Sequence, residues 1–371
     1  MGKRELLLVI AFAIVGVVVY QITAPPPPPG SEGFSVSRII QGMRRGIQGN
    51  RAVAEIDKTR IEQVDPAVQE LRFLLPMTQL TVIGEDRDDA EIQMHVTSRA
   101  YDEAEARRTA EATTVPVTRA GPSLIIAVKY PPEGRQTGKL TLKVPKRLRM
   151  RLEPMGGGKL DVSNLAGVEV MGMNGDTSVK NIRGPVTMTH RGGSLTIDGA
   201  ASLKLTARGG DVKVQHVGGL LTVQTFGGEI VLVDITGPAE IEARNTDVRL
   251  ESIKALKAPL RVDATNGTVK IEGLRTEARI DGRDTEVNVA FDAAAPVTIY
   301  NTSEDITITP PPGGYTLDAV ATEGRISISD GTLKPDGSDN EQRVNGPVRG
   351  GGPALTIRAT RGDINVRSRT P

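Results

Sequence analysis

Between residues 156 and 329 apolar and polar positions alternate in short triplets, commonly set up by a glycine and a polar residue. Val212-Lys213-Val214, Leu221-Thr222-Val223, Val248-Arg249-Leu250, Val269-Lys270-Ile271, Val287-Asn288-Val289 and Ile326-Ser327-Ile328 are instances. In each, the two apolar side chains face one way and the central polar one faces the other, the period-2 pattern of a half-buried strand. The triplets form two interleaved series. One starts at Val168, Val186, Leu203, Leu221, Ala239, Leu260, Ala278 and Val297. The other starts at Thr177, Leu195, Val212, Ile230, Val248, Val269, Val287, Ile306 and Ile326, in steps of 18, 17, 18, 18, 21, 18, 19 and 20.

A period near twenty with two short strands per repeat predicts a solenoid. One such strand cannot bury its apolar face. Coils stacked about 4.8 Å apart place Val on Val and Ile on Ile in continuous internal columns. Equivalent strands run the same way in every coil, so pairing is parallel, and the crossover is expected to be right-handed. Gly-Gly pairs at 192–193, 209–210, 218–219 and 227–228 supply bends where a Cβ would clash. The predicted fold class is all-β: a right-handed parallel β-helix over 153–329, with a small N-terminal α+β module and one N-terminal transmembrane helix.

Ahead of the repeats the pattern changes. Met1 to Arg4 is a basic head, and Leu6 to Ile22 is almost uninterrupted apolar sequence. About 17 residues at 1.5 Å each span roughly 26 Å, close to the hydrocarbon thickness of a bilayer. Lys3 and Arg4 precede this stretch and no basic residue follows until Arg38, which places the N-terminus in the cytoplasm and the bulk of the chain outside. Residues 5–23 are therefore expected to be a single-pass signal-anchor in a bacterial cytoplasmic membrane. A cleaved signal peptide is the rival reading, disfavoured by the weak Ile22-Thr23-Ala24 site and by Pro25 directly after it.

Residues 24–67 read as spacer and linker: Pro25 to Pro29 is stiff and extended. The basic stretch with Arg38, Arg44, Arg45 and Arg51 would suit anionic headgroups, or simply solvent. Residues 68–152 read as a leading module, with strands near 71–75, 80–83, 92–96, 124–128 and 140–144 and a helix over 102–113 (DEAEARRTAEAT). Leu148, Met150 and Leu152 point inward between Arg147, Arg149 and Arg151, a step onto the first coil. Residues 330–353 have almost no apolar side chains and read as a disordered loop. Leu355-Thr356-Ile357 and Ile364-Asn365-Val366 resume both series and are expected to form the last coil, within 354–371.

This order is carried by Leu80-Thr81-Val82-Ile83-Gly84-Glu85-Asp86, an Ala/Glu-rich helix, the strand ending Leu142-Lys143-Val144-Pro145, and ladders such as Gly209-Gly210-Asp211-Val212-Lys213-Val214. It resembles the bacterial "putative adhesin" β-solenoid family, over roughly residues 70 to 330 and a last strand at Ile364 to Val366. The resemblance implies an extracytoplasmic, often membrane-anchored parallel β-helix, and it supplies no catalytic residues.

Composition narrows the chemistry. The net charge of +1 in 371 residues offers no field to attract nucleic acid. The chain has no cysteine, hence no disulfide or thiolate metal site, and its 3% aromatic content counts against aromatic binding platforms. A carboxylate recurs at one corner of the repeat: Asp176, Asp211, Glu229, Asp247 and Asp305. Asp211, Glu229 and Asp247 fall on consecutive coils and are the weak candidates for a cation such as Ca²⁺. Turn chemistry, with Arg208 and Arg244 balancing the column, is the simpler account. His95, His190 and His216 lack ligand-like spacing, and the last two are expected to be solvated corner residues. Arg361-Gly362-Asp363 occupies the corner position of Arg208-Gly209-Gly210-Asp211, and Asn266-Gly267-Thr268 and Asn301-Thr302-Ser303 match the glycosylation pattern.

No catalytic residue, cofactor site or definite metal site is expected. The expected function is a non-enzymatic, adhesin-like envelope protein, held in the membrane by its N-terminal helix and touching an envelope polymer or a protein partner. A polysaccharide-cleaving enzyme on the same scaffold, which needs two acids across a groove, and a membrane-stress signalling accessory are the alternatives.

Overall fold

The computed structural model describes residue 16 and residues 52–367 apart from 76–77, 154–156, 258 and 330–332. The expected head at 1–4, the anchor at 5–23 (residue 16 excepted) and the proline spacer lie outside the described residues. No described helix is long and apolar enough to cross a membrane.

The triplets stack as two parallel ladders, in the register that the periodicity implies. In the first, here ladder A, Val168 pairs with Val186, and then Leu203, Leu221, Ala239, Leu260, Ala278 and Val297 follow in turn. In ladder B, Thr177, Leu195, Val212, Ile230, Val248, Val269, Val287 and Ile306 stack in the same way. Val212, Ile230 and Val248 are buried directly over one another. The apolar faces of both ladders contribute to one hydrophobic cluster that runs from Val64 to Val366.

Both ends depart from sequence order. At the N-terminal end the strands Glu70–Leu74 and Thr78–Glu85 already form a coil. Leu71 pairs with Met150 on one side and Leu124 on the other; Leu80 pairs with Leu160 and Leu140. The leading module is thus continuous with the solenoid, and the expected boundary at 152–153 falls inside the stack. Its coils were hidden from a period count because residues 89–145 intervene between neighbouring rungs. That intervening chain holds the helix α1, Glu103–Ala112. The Asp102 carboxylate caps α1 by accepting from the Glu105 N–H at 2.8 Å, and only Ala106, Thr109 and Ala110 are buried, the thin stripe expected of so polar a helix.

A further strand, Ala52–Gln63, pairs antiparallel with Asp89–Ala100 inside the stretch expected to be linker. Ala52, Ala54 and Ile56 take the inward positions of a strand, but the signal is weakly apolar and Val53, on the exposed side, blurs the alternation. Lys58 ties this strand to α1 by donating to the Glu111 and Thr113 carbonyls at 2.6 and 2.5 Å.

At the C-terminal end Ile306 pairs with Ile364, and Ile364 with Ile326; likewise Val297 pairs with Leu355, and Leu355 with Leu317. Residues 354–366 are therefore inserted between 297–309 and 315–328, and the outermost coil is 315–328, not the last one in sequence. The stretch expected to be disordered instead forms the strands Asp336–Ser338 and Glu341–Val348, the second antiparallel to Tyr315–Thr322. Few apolar residues are needed here because an edge cap is stabilised by backbone pairing; Val344 and Val348 supply its buried side chains.

Candidate functional site: the outer face of ladder A

Corner chemistry is legible first. The second glycine of each corner pair is sterically required: a Cβ on Gly210 would lie 2.0 Å from the Gly193 carbonyl oxygen, and one on Gly228 would lie 2.1 Å from that of Gly210. At the opposite corner a column of left-handed residues, Asn164, Asn181, Gly199, His216, Asp234 and Ser252, turns the chain in successive coils. Sequence reading missed this column, whose only signal is a small or polar residue two places after each ladder B triplet.

The recurring carboxylates serve the glycine corner. Asp211, Glu229 and Asp247 stack in direct register. Asp247 accepts from the Thr268 N–H at 3.0 Å, and Asp305 accepts from the Asp363 N–H at 2.8 Å. Asp176 accepts both the N–H and the hydroxyl of Ser194 at 3.0 Å, and these bonds hold its carboxyl below the ordinary value. Glu229 pairs with Arg249 at 2.9 Å. Each of these four groups thereby stitches one coil to another. Among the described residues no three His, Asp or Glu side chains converge as a metal site.

Arg361-Gly362-Asp363 sits at the same corner: Arg361 is left-handed, and Asp363 accepts from the Arg325 N–H at 2.8 Å. His216 is exposed between Asp198 at 2.7 Å and Asp234 at 3.6 Å. His190, expected at a solvated corner, is fully buried, its Nε2 3.0 Å from the Gly175 carbonyl oxygen. The alternation Val186, Met188, His190 carries it inward. Asn301 is also buried, donating to the carbonyls of Thr285 and Glu304 at 2.7 Å, so its sequon is closed to modification.

The one surface where chemically distinctive groups gather is the solvent side of ladder A. Phe226 and Tyr300 are the aromatic side chains of the described chain that reach at least 36% exposure. Both lie on this face. Arg208 and Arg244, expected to balance the corner carboxylates, instead flank Phe226, in register one rung to either side, with guanidinium carbons 5.7 and 5.6 Å from the ring centroid. Arg279 stands 5.1 Å from the Tyr300 centroid, while Arg358 in the next rung turns away to the Asp318 carboxylate at 2.5 Å.

Between the aromatics runs the column Glu242, Asp263, Asp281, ending on Tyr300 in register. Each acid pairs with an arginine two positions along its own strand, on the same face: Arg244 at 2.6 Å, Arg261 at 3.2 Å and Arg279 at 2.7 and 2.9 Å. A shallow, open depression of about 440 Å³ lies here, lined by Glu242, Arg244, Asp281, Arg283 and Tyr300 among others. A second, of about 710 Å³, lies beside the coil with the 21-residue step, where the short turn Ile253–Ala255 interrupts the repeat. Its acids are ion-paired too: Glu272 with Lys270 at 2.7 Å, Asp292 with Arg275 at 3.3 Å.

Residues 221–367 match the family model described as Toastrack DUF4097. The resemblance to the adhesin-like solenoids holds. The Toastrack match begins at the rung of Phe226 and takes in the face just described except Arg208. A comparison with curated proteins gives no match. Among solved structures the chain is similar to a "putative adhesin" from Parabacteroides distasonis ATCC 8503, with 10% identity over 68% of this chain and 96% of that one and a TM-score of 0.33. A "putative adhesin" from Parabacteroides merdae ATCC 43184 gives 9% identity, 86% and 98% coverage and a TM-score of 0.32. A "putative lipid binding protein" from Parabacteroides distasonis ATCC 8503 gives 10%, 85% and 97%, and 0.33. No residue role is carried across superpositions this loose.

Proposed function

We propose that the chain is a non-enzymatic binding protein of the bacterial cell envelope, anchored by residues 5–23 in the cytoplasmic membrane. The solenoid stands outside the cytoplasm on the proline spacer, and the outer face of ladder A is its working surface. The observation that carries this reading is the placing of Phe226 and Tyr300, the exposed aromatics among the described residues, on one polar face whose ion pairs repeat rung by rung. Against the polysaccharide-cleaving alternative stands the pairing of each carboxylate lining either depression with a guanidinium or ammonium group on its own coil or the next. Cleavage by a carboxyl pair needs two acids set across a groove, and these acids are instead taken up in ion pairs.

A photo-crosslinking side chain placed at Tyr300 or, as a control, at Val231 on ladder B tests the surface. In native membranes the first is expected to give envelope adducts and the second none. Equal labelling from both would reject ladder A as the working face. Detergent-dependent release from sedimented membranes, abolished as a requirement when residues 1–24 are removed, tests the anchor.

A further inference from the structure

From this face we infer a ligand class: a neutral, polyhydroxylated glycan chain, laid across the rungs between Phe226 and Tyr300. The inference rests on the reading of ladder A as the working surface and adds the chemistry of what it holds.

Charge is the first discriminator. Along the rungs 239–244, 260–265 and 278–283, four guanidinium groups (Arg244, Arg261, Arg279, Arg283) face four carboxylates (Glu240, Glu242, Asp263, Asp281). The face is rich in charge and close to neutral in sum. An anionic polymer gains nothing from such a surface, since counterion release and steering both need an excess of cations. A protein partner is also a poor fit, because interface centres are depleted in charged residues and built around apolar anchors. Here the middle column is acidic from Glu242 to Asp281, with no apolar side chain in it before Tyr300.

What remains is directional hydrogen bonding at fixed intervals. Each guanidinium–carboxylate pair sets donors beside acceptors on the same face, and successive pairs are spaced by the rung separation of about 4.8 Å. A hydroxyl both donates and accepts, so vicinal hydroxyls of a sugar satisfy such a pair without adding charge. Aromatic rings bound the array: Phe226 lies between the Arg208 and Arg244 guanidiniums, and the ring face left for the apolar side of a pyranose is that of Tyr300, a large contact at low entropic cost. Tyr300 is 41% exposed, with Arg279 against it and Arg358 drawn off to Asp318. From the rung of Phe226 to that of Tyr300 are four steps, or roughly 19 Å, room for several sugar units. The low aromatic content that argues against a sugar-binding protein is therefore misleading: the two rings that matter stand on one face, at either end of the charged rungs.

The test is calorimetric titration of the full-length chain, in detergent, with six-unit cello-, malto- and chito-oligosaccharides and with polygalacturonate as the anionic control. Binding of at least one neutral series is expected, weakened about tenfold or more by Tyr300→Ala and by Asp281→Ala and retained by Tyr300→Phe, with melting temperatures unchanged. Binding of polygalacturonate alone, or neutral binding indifferent to Tyr300→Ala, overturns the inference. The crosslinking experiment separates the two levels. Adducts at Tyr300 with no neutral glycan bound reject the glycan and leave the surface reading intact. No adducts and no binding reject both.

Discussion

In the middle of the solenoid and at its two ends the same kind of coil is built in opposite ways. From Val168 to Val297 in ladder A, each rung lies against the next one in sequence. At the N-terminal end 70–85 is enclosed by 123–145 and 149–163, and at the C-terminal end 354–366 is enclosed by 297–309 and 315–328. The two ends thus share a device, a coil closed in on both sides by chain distant in sequence. A stack assembled only from local steps can fray rung by rung. Pinning each terminus under a non-local rung makes the end cooperative, and the antiparallel strands Ala52–Gln63 and Glu341–Val348 then cover edges that would otherwise template association.

Deleting residues 354–367 is the most severe way to break the comparison. With the inserted rung gone, 315–348 has no parallel partner left, and its amides are expected to lose hydrogen-exchange protection together, while 195–291 keeps its own. A chain stacked in sequence order would lose protection only at its last rung. Smaller cuts follow the same logic. Ile230→Ala, in a fully buried middle rung, should cost about 4 kcal/mol, and Ile326→Ala, in the outermost rung, about 2 kcal/mol, both read from denaturant melts. Near-equal losses would mean that the end rung is packed as tightly as the middle.

The glycine corners sharpen the contrast at finer scale. Gly209 and Gly210 have φ of 73° and 80°, but a Cβ on Gly209 meets nothing within 4 Å while one on Gly210 meets a backbone oxygen. Gly209→Ala should therefore cost about 1 kcal/mol, the strain of the left-handed region alone. Gly210→Ala should cost about 3 kcal/mol, because two coils must also part. If both melt alike, conformational strain and not coil contact sets the corner.

How far the sequence foretold this depends on where one looks. Period and alternation set the register of Leu221, Ala239 and Leu260, since a triplet repeated at fixed spacing has one way to bury its face. They failed at Leu71 and Leu355, whose neighbours are chosen by shape and not by distance along the chain. The strand at 52–63 was lost because alanines gave it little hydrophobic signal. The face of ladder A was opaque for another reason. Arg208 and Arg244 look like partners of Asp211 and Asp247 three residues away, yet a corner lies between them: each arginine ends a strand of ladder A and each aspartate opens the next strand of ladder B. Residues one whole turn of the solenoid apart are the true neighbours, so Arg208 and Arg244 meet Phe226.

Acid should separate the regions most gently. Asp65, Asp89 and Glu91 are held below their ordinary values, Asp65 by the Ala67 amide and Arg119, Asp89 by Arg87, and Glu91 by Gln93 and Arg87. All three lie at the N-terminal end; Asp176, held by the Ser194 amide, lies two coils in from 70–85. A carboxylate whose folded pKa is depressed stabilises the fold above its unfolded value, near 4, and that contribution is lost as pH falls through the folded one. Stability should accordingly drop as pH falls below about 4, with exchange protection failing first in 64–100 and only later in 315–366. The effect per group is small because all four are solvent-screened. Asp176→Asn keeps an acceptor for the Ser194 amide and removes the titration, so its melting temperature should fall less steeply with acid than that of the unaltered chain. Parallel slopes for the two proteins would mean that the corner bond is indifferent to charge, and the column from Asp176 to Asp305 would then act by geometry alone.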